Sequence, residues 1–243
     1  MALAVDPSKL SVIRPDVVAN DRVLPDSVSG PARDRPMRHH DRDSALAEMA
    51  RAGYPFDPTT GRGGYPSEIE YLTVPDSFEQ AAGEIYQQQL AAVGLRIRLK
   101  LVTWATYLAE SSRRGASAMG WAGWQADFPD PANFFEPNLA SASISDEQSS
   151  NRAFFSHSEL DAVLAKAHRE RDEGARMRLY ARAEEIVRDE APWVPTHVSR
   201  RLQLWHPYVH GYVPHPIAPL WVRNVWLGPR ADAMRPLGAG VTP

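Results

Sequence analysis

Ile69-Glu-Tyr-Leu-Thr-Val74, Ser77-Phe-Glu-Gln80 with the run that follows to Gly94, and Leu95-Arg-Ile-Arg-Leu-Lys-Leu101 form one continuous unit that sets the fold class. The first segment is short, β-branched and aromatic, as a strand requires. In the second, Phe78, Ala81, Ala82, Ile85, Leu90 and Val93 recur at helical spacing, and Gly94 follows as a stop. Ser77 and Gln80 stand at capping-box spacing, where hydroxyl and amide can each serve an orphan N–H. The third segment alternates Leu and Ile with Arg and Lys, which is a strand with one buried and one solvated face. Strand, helix and strand in that order predict parallel pairing through a right-handed crossover, and therefore an α/β protein.

The flanks extend this pattern. Residues 20–43 are rich in Pro, Asp, Arg and Ser and read as a long loop. Asp41 or Asp43 can cap a helix through Ala45, Leu46, Met49 and Ala50 that stops at Gly53. Thr103 can cap a helix from Trp104 to Arg113, and Met119 to Trp124 reads as a strand. Ser156 and Glu159 repeat the capping-box spacing before Leu160, Val163, Leu164 and Ala167. A further helix is predicted from about Glu173 to Asp189. Trp193–Val198, Leu202–Trp205 and Trp221–Trp226 read as short strands, and 231–243 as a frayed tail.

The chemistry concentrates in Trp124-Gln-Ala-Asp-Phe-Pro-Asp-Pro-Ala-Asn-Phe-Phe135, which follows the predicted 119–124 strand. One acidic residue, Asp127, lies among aromatics between Trp124 and Phe128, and Pro129 and Pro131 restrict the backbone. Such a segment can present a carboxylate at the mouth of an apolar cleft, or Asp127 can simply cap a turn before Pro129. Trp124 can wall a pocket or fill a core. Asp130 and Asn133 read as residues that shape the loop.

This segment resembles the ligand site of the oligopeptide- and dipeptide-binding proteins of ABC transporters, the extracellular solute-binding proteins of family 5. Ala2-Leu-Ala-Val-Asp-Pro-Ser-Lys-Leu10, Ala45-Leu-Ala-Glu-Met-Ala-Arg-Ala-Gly-Tyr54, Gln87-Gln-Gln-Leu-Ala-Ala-Val-Gly94 with Trp104, Phe155-Ser-His-Ser-Glu-Leu-Asp161 and Ala191-Pro-Trp-Val-Pro195 are similar to further segments of that family, in the same order. The resemblance implies a periplasmic-binding-protein-like type II fold, with one lobe nearly complete and the other mostly absent. Residues 1–192 would be the second lobe, and 193–230 strands returning toward a first lobe. The implied activity is binding of a peptide or similar small solute between lobes, without catalysis. The implied partners are ABC permease subunits and, for a truncated chain such as this one looks, a separate first-lobe chain; the alternative is a lone-lobe interaction module. By position Asp127 would receive the ligand's ammonium group, with Trp124, Trp121 and Phe128 lining the site. Trp121 stands where some tripeptide binders carry an arginine for the ligand's carboxylate.

Composition narrows the alternatives. The 243 residues carry a net charge of −3, without the basic excess that phosphate neutralisation needs, so nucleic acid is not an expected partner. No cysteine is present, which removes disulfides, thiol nucleophiles and zinc–thiolate sites. His39-His40-Asp41 has no third ligand at suitable spacing and reads as solvated loop; His206, His210 and His215 lie in a proline-rich turn region, where weak opportunistic metal binding is the alternative to a structural role; and Gly61-Arg-Gly-Gly64 lacks the lysine of a phosphate loop. Neither metal nor cofactor is expected. No Gly-x-Ser-x-Gly elbow is present. Met1-Ala-Leu-Ala-Val-Asp-Pro7 does not read as a signal peptide. The family resemblance implies a periplasmic or extracytoplasmic location; a start at Met1 would imply a cytoplasmic one.

Overall fold

The computed structural model describes residues 1–28, 36–214 and 222–229. Its centre is a three-stranded parallel sheet of β4 (Ile69–Thr73), β5 (Ile97–Leu101) and β6 (Met119–Gly120), in the order β5-β4-β6. The helix α3 (Ser77–Ala91) joins β4 to β5, and α4 (Trp104–Ser111) joins β5 to β6. Parallel pairing of Ile69 with Ile97 through Thr73 with Leu101 bears out the strand–helix–strand reading.

Before the sheet come a 3-10 turn at Pro7–Lys9, α1 (Leu10–Ile13), β1 (Val17–Ala19), α2 (Arg42–Arg51), β2 (Phe56–Asp57) and β3 (Arg62–Gly63). After it come α5 (Ala132–Leu139), α6 (Ser158–Arg169), α7 (Glu173–Glu190), β7 (His197–Ser199), β8 (Val209–His210) and β9 (Trp226–Leu227).

Two apolar clusters result. One lies between the sheet and α3, where Tyr71, Phe78, Ala82, Tyr86, Leu90, Val93 and Ile97 pack with Leu10 and Val17. The other joins α5, α6 and α7 through Phe135, Leu139, Leu160, Leu164, Tyr180 and Ile186, with Phe135 and Tyr180 stacked 5.8 Å apart. The long loop before α2 is tied to this second cluster. Leu24 is fully buried in it, and the buried Glu184 carboxylate accepts from Val23 N and Leu24 N at 3.1 and 2.8 Å. Those bonds satisfy backbone groups that burial would otherwise leave unpaired.

The helix starts follow simple chemistry, with two corrections. Asp41 caps α2 and Thr103 caps α4, accepting from Ser44 N and Thr106 N. α3 is capped by Asp76 rather than by Ser77, because the carboxylate accepts from both Phe78 N and Glu79 N. α6 is capped by the His157 imidazole, whose Nδ1 accepts from Leu160 N, while Ser156 Oγ bonds Ser141 Oγ instead. Gly94, at φ +83°, permits the left-handed turn after α3, and a Cβ there would sit 2.6 Å from the Phe56 ring.

The strands are shorter than predicted. β6 ends at Gly120, and α4 ends at Ser111 where the following Ser112 Oγ turns back to Leu108 O. β7 pairs antiparallel with β1, and the ladder extends outward through Asn20 N to Thr196 O and Arg200 N to Asp16 O. Leu202–Trp205 forms no strand. Trp193 packs on the α5–α7 cluster rather than standing free, whereas Trp205 and Trp226 are exposed. Trp221, His215 and the tail at 231–243 lie outside the described residues.

Candidate functional site at the carboxyl edge of the sheet

Topology alone marks one edge of this sheet. From the central β4 the chain crosses to β5 on one side, then returns past β4 to β6 on the other. That reversal is a topological switch point, and crevices at the carboxyl ends of strands around such a point are where open α/β sheets bind ligands. β4 ends at Thr73 and β6 at Gly120, so the switch point opens directly onto the Trp121–Pro131 loop.

Three aromatics form the first wall of this edge. Trp104 stacks on Tyr107 at 5.3 Å, and Trp121 lies 5.5 Å from Tyr107 and 6.3 Å from Trp104. Tyr107 is fully buried, and its hydroxyl donates to Trp121 O. Burial pushes the Tyr107 phenol above its ordinary range. Arg152 Nη1 donates to the same hydroxyl at 3.1 Å, with the guanidinium over the Tyr107 ring at 5.4 Å. Trp104 is 55% exposed, so the cluster presents an apolar surface to solvent while its base is fixed.

The second wall is the loop itself. Asn133, buried at the start of α5, organises it: Oδ1 accepts from Trp124 Nε1 and from Asp127 N, both at 3.0 Å. Nδ2 donates to Asp127 Oδ2 at 3.4 Å and to no other acceptor on the loop. Trp124 and Phe128 are left 40% and 48% exposed on either side of Asp127. Trp124 is therefore a surface aromatic held by its N–H, not a core residue.

The two loop carboxylates have opposite surroundings. Asp130 is held by a bidentate pair with Arg176 Nη1 and Nη2, both at 2.7 Å, and accepts from Ala132 N at 2.8 Å. Hydrogen bonding from Arg176 keeps the Asp130 carboxyl below the usual carboxylate range. Arg176 also reaches Ala167 O and Tyr180 OH, so Asp130 pins the loop to α6 and α7. Asp127 is exposed, and no cation pairs with it among the described residues. A carboxylate between exposed aromatics, held by a neutral amide and paired with no cation among the described residues, is suited to receive an ammonium group from outside.

Trp121, Trp124, Asp127 and Phe128 thus fall on one loop at one edge. Tyr107, Arg152 and Arg176 were not singled out from sequence: they lie on α4, a later loop and α7, and nothing in local spacing ties them to residue 127. Among the described residues no group of three His, Cys, Asp or Glu side chains converges as a metal site, and no helix is long and apolar enough to cross a membrane.

Comparison with known proteins bears on the family and the fold. The family model for bacterial extracellular solute-binding proteins, family 5, middle region, matches residues 2–146. Heme-binding protein A of Haemophilus influenzae is 31% identical over 175 residues, covering 67% of this chain and 31% of that protein. Di/tripeptide-binding protein 4 of Pseudomonas aeruginosa is 29% identical over 137 residues, 56% of this chain and 25% of that protein. Among solved structures, the periplasmic binding protein DppA of Helicobacter pylori, in complex with the peptide STSA, superposes with a TM-score of 0.76 at 24% identity over 93% of this chain and 43% of that one. The dipeptide-binding protein of Pseudoalteromonas sp. SM9913, in complex with Met-Leu, gives 0.75 at 22% identity, covering 93% and 44%. The chain spans about a third of the length of the curated relatives it matches. Its fold is the α/β type II periplasmic-binding-protein fold, represented by one lobe, and the chain belongs to the bacterial extracellular solute-binding proteins of family 5.

Proposed function

We propose that this chain is the ligand-receiving lobe of a solute-binding component of an ABC importer, acting on peptides or similar small solutes with a free ammonium group. It binds and does not catalyse. The observation that carries this reading is the Asp127 carboxylate, exposed and free of any cation among the described residues, while its neighbour Asp130 is locked to Arg176. Trp124, Phe128 and Trp121 supply apolar walls on which side chains of varied shape can lie. Residues 1–192 form the lobe, and 193–230 lead toward a first lobe that completes the cleft. Permease subunits, and a first lobe on the same or a separate chain, are the proposed partners, at an extracytoplasmic location.

The test uses the dipeptide Met-Leu and its N-acetyl derivative, titrated against the native chain and Asp127→Asn. A single lobe leaves the bound peptide wet on one side, so its ion pair with Asp127 is screened and contributes about 0–1 kcal/mol. We expect a Kd of about 1 mM or weaker, a few-fold preference for the free amine, and loss of that preference in Asp127→Asn. An equal preference in the variant sinks the Asp127 role, and micromolar affinity by calorimetry sinks the half-cleft picture.

A second reading is a lone-lobe interaction module without transport activity. It is favoured by Leu202 and Leu204, which are 82% and 88% exposed, and by the exposed Trp205 and Trp226. Such a module would associate with a protein partner while showing no preference between the two dipeptide probes.

A further inference from the structure

We propose that the groove between α6 and α7 is a docking surface for an acidic helix of a partner protein. None of the residues lining it belongs to the Asp127 loop or to the aromatic wall, so the inference stands apart from the ligand reading.

The groove follows from the pattern of two helices. Only Glu170, Arg171 and Asp172 join α6 to α7, and so short a link makes them an antiparallel pair. Leu160, Val163, Leu164 and Ala167 pack with Tyr180, Ala183, Ile186 and Val187 to hold the pair together. Beside that seam each helix carries a second stripe at helical spacing. On α6 it is Ala162, Ala165, Lys166 and Arg169, and on α7 it is Ala175, Arg178 and Leu179. The two stripes bound an open groove of about 730 Å³. From Ala162 to Arg169 it runs about 10 Å, which is two helical turns.

Charge separates this groove from the rest of the two helices. Arg176 pairs with Asp130, Arg182 with Glu159 and Glu185, and Arg188 with Asp189. The remaining Lys and Arg side chains of α6 and α7 are Lys166, Arg169 and Arg178, and all of them are exposed. None of them forms an ion pair among the described residues, and all of them line the groove. Nearby acids are spent on the backbone. Glu170 Oε1 accepts from Arg171 N and Asp172 N at 2.8 and 2.9 Å, and Asp172 Oδ1 accepts from Ala175 N at 2.6 Å. The cations on both banks are therefore left for charge from outside the chain.

Shape selects the occupant. The floor is alanine with the half-buried Leu179, so no bulky side chain stands between the cationic banks. A third helix can then approach to the usual interaxial distance of about 8–10 Å, laying a narrow ridge of small side chains on the floor. Glu or Asp on either side of that ridge would reach Lys166 and Arg169 on one bank and Arg178 on the other, the arginines offering bidentate forks. An anionic membrane fits less well. No aromatic side chain lines the groove to enter the acyl layer, and the exposed Asp172 and Glu173 beside it would be repelled by acidic headgroups.

The experiment titrates the full chain with a synthetic helical peptide of about 18 residues, long enough to be helical alone, with an alanine ridge flanked by rows of glutamate. Nitrogen–proton NMR reads the amide signals of Ala162, Ala165 and Ala175. We expect these to shift, with affinity that weakens as salt rises. Arg178→Glu should weaken binding about threefold to tenfold, and Lys166→Glu combined with it should weaken it further. Ala162→Gln with Ala165→Gln alters no charge and suits an exposed helix, yet it fills the floor and should weaken binding at least about threefold. Thermal melts of each variant confirm that the fold is kept. Several results would overturn the proposal: no shift in these signals, equal binding of a peptide with lysine in place of glutamate, or native affinity in the glutamine double variant, which would mean a diffuse field and no groove. Capture by phosphatidylglycerol vesicles without binding of the helix would assign the surface to a membrane instead.

Discussion

Asp127 and Asn133 are bonded in both directions: the Asp127 backbone N–H donates to Asn133 Oδ1 at 3.0 Å, and Asn133 Nδ2 donates to Asp127 Oδ2 at 3.4 Å. Because the same Oδ1 also takes the Trp124 indole, one buried amide sets the backbone, the carboxylate and the aromatic wall of the site together.

Removing that amide should therefore be felt twice. Asn133→Ala is expected to cost about 1–3 kcal/mol of stability, since its partners lose bonds that burial had made valuable. It should also shift the Trp124 indole N–H resonance, which Asn133→Asp, retaining the acceptor, should leave near its native position. Asp127→Asn, at an exposed site, should change stability by no more than about 0.5 kcal/mol. Chemical denaturation and the indole region of the NMR spectrum check all three.

The Asp130–Arg176 pair predicts acid sensitivity. Its folded carboxyl titrates below the unfolded value, so the contribution is present above the unfolded pKa and is lost as pH falls through the folded one. Asp130→Asn should destabilise by about 1–3 kcal/mol at pH 7 and by progressively less as pH falls below the ordinary carboxylate range, because there the unfolded chain takes up a proton that the folded carboxylate resists. Thermal melts across that range give the answer; a pH-independent cost would contradict the ion pair's role.

Glu79 predicts the opposite slope. Burial, reinforced by Asp76 and partly offset by Arg14, pushes its carboxyl up to about 7. A group whose folded pKa exceeds its unfolded one binds its proton more tightly in the native state. Its ionisation therefore removes stability as pH rises from the unfolded pKa through about 7. Glu79→Gln should be close to neutral at pH 4 and stabilising by about 1–2 kcal/mol at pH 8, allowing for solvent screening. Equal melting shifts at both pH values would refute this.

The exposed apolar residues after β7 predict association. Leu202, Leu204, Trp205 and Trp226 leave apolar side chains in water, which favours self-contact. Light scattering should show oligomers whose population rises with concentration, and the double change Leu202→Ser with Leu204→Ser should reduce them. A monodisperse monomer at high concentration would count against this.

What a short segment states about itself was legible before any coordinates. The alternation from Leu95 to Leu101 could only bury one face, and the helical spacing from Phe78 to Val93 matched it, so the parallel β4–β5 pair followed. Helix positions were legible for the same reason, but the caps were not always. Asp76 displaced Ser77 because a carboxylate can accept from two amides at once. His157 displaced Ser156 because that hydroxyl found Ser141 instead, fifteen positions away along the chain and brought near by tertiary contact.

The sequence alone determined that Asp127 stands among Trp124, Phe128 and prolines, because covalent order fixes neighbours. Only the tertiary structure decided which of the loop's two carboxylates is open to a ligand. Asp130 is closed by Arg176, 46 positions along the chain, and Arg152 reaches the aromatic wall through Tyr107, 45 positions away. Ion pairs and hydrogen bonds act over a few ångströms of space and are indifferent to chain distance. They are set when α5, α6 and α7 pack, and spacing along the chain cannot state them.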